Sequence, residues 1–454
     1  MLSSPSPWLL QLKHERPHFQ LTNDKEVFDI AIVGAGIAGI ATAYHVLKYT
    51  TGKVLLLDAG RIAHGATGRN AGQVVSYFER PFSDIVRAFG MEMAVRGQAE
   101  VESGWGILED ILEQCALNVH LHAFAGYAGF TTTEQILGAL HELQIRRVSG
   151  LPFEPLLMKV DPTLQSQIPP ELQDLILTVP HSKILDALKT LDSSFIAAEV
   201  SKKGCMNSAR FCEELTGWML REYGNRLHIA EHLPVTKITL TASEAQISTT
   251  ERLIRASRVV LCTNGFENFS IVNRDGPDID TSFHGDIQGI IGYMAGYTDE
   301  PRQDPAAISY YKAHLESGPY IYLTRRPYEH PTVGAISLVC IGGPERFLPD
   351  RSAYDPQSPI PADIEETLDR ELRTTYVDLP PRASKSFLWQ GLMGYTPNKI
   401  RRVGREPKNP ILLYNLGCNG VGILPSVIGG KRIGKILKGI QLQPSIFDPS
   451  DTHR

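Results

Sequence analysis

Along residues 28–58 the apolar positions run continuously, then fall at helical spacing, then run continuously again, so the stretch reads strand, helix, strand. Residues 28–33 are apolar and β-branched, as a strand buried on both faces should be. A glycine turn follows, then a helical stretch over 40–48 and a second buried strand over 53–58, which together make a βαβ unit. The same style returns further on. A helix is predicted over 209–223, strands over 227–229, 235–240, 258–261 and 411–415, and a closing helix over about 425–438. Two other stretches break this pattern: 106–195 mixes helical spacing with short strands, and 276–385 is rich in Gly, Pro and Tyr, with alternating strands near 320–324 and 337–341. The fold class expected is α/β locally and α+β overall. A nucleotide-binding domain assembled from 27–105, 196–275 and 386–440 would be interrupted by a mainly antiparallel domain formed from 106–195 and 276–385. Residues 1–26 read as a polar, proline-containing lead-in.

Composition narrows the function classes. The 454 residues, 42% apolar and 21% charged, suit a globular protein, and a formal charge of −5 without Lys/Arg runs argues against nucleic acid as a partner. The six cysteines are scattered, with no CxxC pair, so a reducing compartment and no metal site are expected. The N-terminus lacks the apolar core of a signal peptide and no run is long enough to span a bilayer, which together predict a cytoplasmic protein.

The chemistry begins at Gly34-Ala35-Gly36-Ile37-Ala38-Gly39, which follows a strand and opens a helix. Gly34 would make the tight turn, Gly36 would let the backbone approach a pyrophosphate, and Gly39 would allow close helix–strand packing. The helix N-terminus at Ile37 and Ala38 favours an anion. Asp58, with Ala59 beside it, ends the second strand and can accept bonds from ribose hydroxyls. This fingerprint by itself leaves FAD and NAD open. A second glycine cluster, Thr67-Gly68-Arg69-Asn70-Ala71-Gly72-Gln73, is too small and polar for core and offers a further anion and ring cradle.

With that cluster the chain resembles the D-amino-acid-oxidase-like (DAO) flavoproteins, above all the gamma-glutamylputrescine oxidase branch, where a Ser-Gly-Arg-Asn-Gly-Gly-Gln element follows the acidic strand end. The resemblance continues at Val235 in the adenine-side strand and at Thr263-Asn264-Gly265. It extends to Trp389-Gln390-Gly391, to Thr396-Pro397-Asn398, and to the loop Gly417–Ile423 containing Asn419, Gly420, Val421, Gly422 and Ile423. It implies a Rossmann-like FAD domain and oxidation of a C–N bond in an amine or amino acid, with hydride passing to flavin and O2 returning it as H2O2. A dehydrogenase using another acceptor, or a flavin-binding protein with a degenerate site, are the alternatives. Met393 stands where relatives carry a carboxylate-binding Arg or a flavin-linking Cys, and Arg69 where another branch has its linking His, so the FAD is expected to be non-covalent. Tyr320 and Tyr322 would wall the substrate side, and Arg325 would hold an anionic group. His284 reads as a solvated loop residue, Cys418 as an inert thiol, and His64 as a hydrogen-bonding loop residue.

Overall fold

Strand Val27–Val33 lies inside the first of two sheets, paired in parallel with Val54–Leu57 on one side and Leu253–Leu261 on the other. The computed structural model describes residues 4–12, 16–21, 27–265, 268–302, 304–312, 320–350, 353–381 and 383–449. Leu227–Ala230 extends the parallel set beyond Val54–Leu57. Leu253–Leu261 divides its partners. Its first half pairs antiparallel with Ala245–Thr249, and its last residues pair in parallel with Asn409–Leu416. Val54–Leu57 is buried at every position, the burial its unbroken Val-Leu-Leu-Leu predicts for a central parallel strand.

Helices Ile37–Tyr49 and Ile423–Leu437 pack on this sheet and on each other. Their contact depends on glycine. A Cβ on Gly430 would lie 2.6 Å from the Ala41 carbonyl carbon, and one on Gly434 would lie 2.9 Å from His45 O. The pairing of 430 with 41 and 434 with 45 makes the helices parallel and in register. Both N-termini therefore emerge together, at the end of the sheet where Val33 and Leu57 finish.

The second sheet has ten strands and is mostly antiparallel. Its outer strand Ser384–Tyr395 pairs with Gln288–Asp299, which sets Gly391 opposite Gly292 and Met393 opposite Ile290. Gln288–Asp299 then pairs with Gly334–Leu348, and that strand with Ile321–His330. This sheet also takes in Ala197–Cys205 and Ser384–Tyr395, which reach outside 106–195 and 276–385. Helix Ala362–Thr375 buries Leu368 and Leu372 against Gln288–Asp299 and Gly334–Leu348.

The N-terminal stretch departs from the expected polar lead-in. Pro7–Leu10 forms a helical turn capped by Ser6, and Trp8 is completely buried. Trp8 Nε1 donates to Asn70 O at 2.6 Å, and the Arg326 guanidinium lies 4.2 Å over its ring. Leu9 fills the space that a Cβ on Gly68 would occupy, 2.4 Å from Leu9 Cδ2. A four-residue element has too few turns to show helical spacing, so only its tertiary contacts reveal it as core. Replacing Trp8 with Ala removes this backing, and the Trp8→Ala variant should lose about 3–5 kcal/mol of stability in denaturant melts.

Candidate active site

The glycine turn has the constraints its spacing implies. Gly34 adopts φ +99°, and a Cβ there would lie 2.7 Å from Cys262 O. A Cβ on Gly39 would lie 1.8 Å from Gly34 O, so any side chain at Gly39 would force the helix off the strand. Gly36 lies under Thr67, whose Oγ1 accepts from Ile37 N at 2.9 Å and so caps the helix from 30 residues along the chain. Asp58 bridges the turn: Oδ2 accepts from Ala35 N and Oδ1 from Gly60 N, each at 2.7 Å. Burial pushes the Asp58 carboxyl up, and these two N–H bonds oppose the shift.

The second helix N-terminus is prepared by asparagines. Gly422 caps it without a side-chain bond. Asn419, at φ +48°, accepts on Oδ1 from Thr396 N at 2.7 Å and Thr396 Oγ1 at 3.1 Å. Asn264, at φ +68°, accepts from Cys418 N at 2.8 Å. Arg401 is buried, gives Nε to Asn415 Oδ1 at 2.7 Å, and is lowered to about 10 by that burial. Asn415 also donates to Thr42 Oγ1 at 3.0 Å and to Ser426 O at 3.1 Å, which ties the two helices to one strand.

One cavity of about 720 Å³ joins these parts. Its lining runs from Asp58, Ala59, Val235 and Thr236, past Gly34, Gly36, Ile37, Ala38, Thr67, Thr263 and Asn264, to Arg69, Asn70, Ala71 and Gln73. It continues by Gly391, Gly420, Val421, Gly422 and Ile423 to Tyr320, Tyr322 and Met393. The other expected cofactor residues stand behind this wall. Gly39, Gly68 and Gly72 permit close packing there, and Gly265 leaves room for Ile287. Trp389 is buried with Nε1 donating to Arg69 O at 3.0 Å, and Asn419 anchors its loop.

A long dinucleotide fits this lining. Two helix N-termini present amides without helical partners, Gly36 keeps the wall open beside Thr67, and the Thr263 hydroxyl is buried without a hydrogen-bond partner among the described residues. No group of metal-ligating side chains occurs among the described residues.

Arg325 lies elsewhere, contrary to the sequence expectation. On an extended strand successive side chains alternate, so Arg325 faces away from Tyr320 and Tyr322. It is 2% exposed, bonded to Asp378 Oδ2 at 2.8 Å and paired with Asp304. His284 sits in helix Asp280–Asp286, half-buried, with Nε2 at 2.9 Å from Phe269 O. His64 bonds Ile62 O through Nδ1, and burial lowers it. The Cys418 thiol, half-buried, does line the cavity.

Several lining residues were not anticipated: Tyr77, Glu79, Met294, Glu345, Tyr395 and Arg401. A signal existed for the first two, because Gln73, Val75, Tyr77 and Glu79 all line the cavity at the period-two spacing of an extended segment. Tyr320 OH donates to Glu79 Oε1 at 2.8 Å, and Tyr322 OH to Met294 Sδ at 3.2 Å. Met393 occupies the space left by Gly292, whose Cβ would lie 2.9 Å from Met393 Cε. Burial raises Glu79, with the Tyr320 bond and Lys399 and Lys203 opposing. Glu345 lines the cavity at a solvent-exposed position of its strand, and partial desolvation of its carboxyl, followed by Glu79, pushes it up to about 7. Because Arg325 serves an ion-pair cluster outside the cavity, Arg325→Ala should cost about 1.5–3 kcal/mol in thermal or denaturant melts. KM for any substrate should stay unchanged.

The DAO family, described as FAD dependent oxidoreductase, matches residues 29–436. Gamma-glutamylputrescine oxidoreductase of Escherichia coli (strain K12) is 35% identical over 94 residues, which is 20% of this chain and 22% of that protein. The aligned stretch thus spans less than a quarter of that relative's length. Among solved structures, glycine oxidase from Geobacillus kaustophilus superposes with TM-score 0.68 at 15% identity, covering 94% of this chain and 99% of that one. L-proline dehydrogenase from P. horikoshii superposes with TM-score 0.67 at 17% identity, covering 93% and 97%. At those identities the likeness is one of fold. The family match spans both sheets and the whole cavity, and the chain belongs to the DAO family of FAD dependent oxidoreductases.

Proposed function

We propose that this enzyme oxidises a C–N bond of an amine or amino acid, with O2 as the acceptor that regenerates the flavin. The observation that carries this reading is the continuous cavity, with helix N-termini at one end and a Tyr–Met–Glu chamber at the other. FAD, when bound, supplies a two-electron hydride acceptor that O2 can re-oxidise with release of H2O2.

The chain's own residues hold and shape. The turn 34–39, Thr67 and the first helix N-terminus would bind the pyrophosphate, and Asp58 the ribose. Gly420–Ile423 and the second helix N-terminus would favour negative charge at the edge of the ring. Tyr320, fixed by Glu79, and Tyr322, fixed by Met294, form rigid walls that exclude water from the reacting carbon. Met393 cannot form the linkage a Cys would, and Arg69 cannot form the linkage a His would, so we read the FAD as non-covalent. All six cysteines are unpaired and no described helix is long and apolar enough to cross a membrane, which supports a cytoplasmic setting. The fold shared with L-proline dehydrogenase keeps a second reading, transfer of electrons to another carrier, in view.

The purified protein should be yellow, with all its flavin released by acid precipitation. Gly36→Val places methyls against Thr67 Oγ1, 2.9 Å from the new Cβ, and should abolish flavin retention. Anaerobic mixing with a panel of amines and amino acids should bleach the flavin for at least one member. Admitting air should then restore the colour and produce H2O2. A flavin that bleaches but stays reduced in air would establish the dehydrogenase reading instead.

A further inference from the structure

The chamber beyond Met393 has a distinct charge. Glu79 and Glu345 both line it, on segments far apart in the sequence, and Glu79 raises the proton affinity of Glu345. The only guanidinium or ammonium groups in the cavity lining among the described residues are Arg69 and Arg401. Arg401 is committed to Asn415 and Gly417, and Arg69 belongs to the cradle turn, with Nε directed at His64 O. Lys399 and Lys203 act on Glu79 from outside the lining, and Lys203 lies among Glu199 and Ser309. A substrate carboxylate entering this chamber would meet Glu79 and Glu345, while the lining cations stand in the cradle turn, Arg69 with Nε on His64 O, and behind the second helix, Arg401 on Asn415.

A cation would meet the opposite. Two carboxylates that repel each other in the empty chamber gain from a positive charge placed between them. The surrounding rings of Tyr77, Tyr320, Tyr322 and Tyr395 add negative π-faces that attract an ammonium group. Hydride leaves a carbon beside a neutral nitrogen, because a protonated amine has no lone pair to assist it. The nitrogen being oxidised is therefore not the ammonium that the carboxylates hold.

On this basis, and resting on the reading of the cavity as a C–N oxidation site, we propose that the substrate is a diamine-like cation. One neutral nitrogen is oxidised over the flavin while a second, protonated nitrogen is seated between Glu79 and Glu345, and no carboxylate is required. The step balances without a further reactant: the C–H bond beside the neutral nitrogen breaks and its electron pair passes to FAD. The resulting iminium takes up water to give a carbonyl compound and an amine or ammonia. Protonation of the pair would compete with this cation. Glu345, faced by Glu79, Lys399, Tyr322 and Tyr395, carries its proton below about 7 in the empty site, so binding should tighten as pH rises through that value.

The test uses the holoenzyme and a series of linear diamines from ethylenediamine to hexamethylenediamine, set against n-butylamine, glycine, alanine and proline. Two readouts are followed: saturable perturbation of the oxidised flavin spectrum, which reports binding, and anaerobic bleaching, which reports oxidation. A diamine should bind and bleach at least about tenfold more tightly or faster than n-butylamine or any amino acid, the size expected for one charged hydrogen bond. Glu345→Gln and Glu79→Gln, each checked for flavin retention, should raise Kd and KM for that diamine about tenfold or more, with a smaller change in kcat. Glu345→Gln should also remove the tightening of Kd through pH of about 7. Amino acids bleaching the flavin as well as diamines, with both variants unaffected, would overturn the cation site while leaving C–N oxidation intact. Diamines that bind with these Glu dependences while no amine or amino acid bleaches the flavin would support the cation site and sink the C–N oxidation reading. No diamine perturbing the spectrum would overturn the proposal outright.

Discussion

The parallel, in-register contact between helices Ile37–Tyr49 and Ile423–Leu437 is the constraint on which the cofactor end depends. Two glycines, Gly430 and Gly434, let the backbones approach, and Asn415 fastens both helices to the same strand through Thr42 and Ser426. Because the helices run side by side in the same direction, their partial positive charges add at one place instead of cancelling. Neither helix uses a side chain of its own as cap. The first borrows Thr67 and the second has none, which leaves first-turn amides directed at the cavity.

The second sheet imposes the opposite electrostatics a short way along the same cavity. Its strands bring tyrosines, methionines and Glu345 to one wall, and the extended segment after Gln73 brings Tyr77 and Glu79 to another. The two ends of one cavity therefore differ in local charge: amides and helix dipoles gather at the first, and the carboxyls of Glu79 and Glu345 at the second. Small residues set the spacing. Gly292 admits Met393, Gly391 admits the Arg69 backbone, and Gly420 admits Glu79 and Tyr395. The same economy explains why Trp8, from the far N-terminus, has become structural: it backs Asn70 and Gly72 and so stiffens the cradle from behind.

How much of this was legible in the sequence follows from the range of each interaction. The strand–turn–helix–strand unit, the roles of Gly34, Gly36 and Gly39, the acid at Asp58 and the second glycine cluster are local, and backbone sterics within a few residues specify them. Strand 235–240, the end of strand Leu253–Leu261 over 258–261 and the closing helix likewise carried their period in their own residues, whereas the first half of Leu253–Leu261 emerged only from its pairing with Ala245–Thr249. Resemblance to a family added the direction of the cofactor and the meaning of Met393. It also drew attention to Arg325 as an anion ligand, which strand alternation alone would have argued against once Tyr320 and Tyr322 were assigned inward.

The sequence by itself determined the dinucleotide cradle, because short-range stereochemistry and helix-terminus electrostatics leave little choice about what a GxGxxG turn between strand and helix can do. Only the tertiary structure decided the charge of the chamber beside Met393. Glu79 and Glu345 are separated by hundreds of residues, and nothing in either neighbourhood announces the other. Their place on one cavity wall is set by the pairing register of Gly334–Leu348 with Gln288–Asp299 and by the path of the chain after Gln73. The same register turns Arg325 away, since one residue along a strand exchanges the two faces of the sheet.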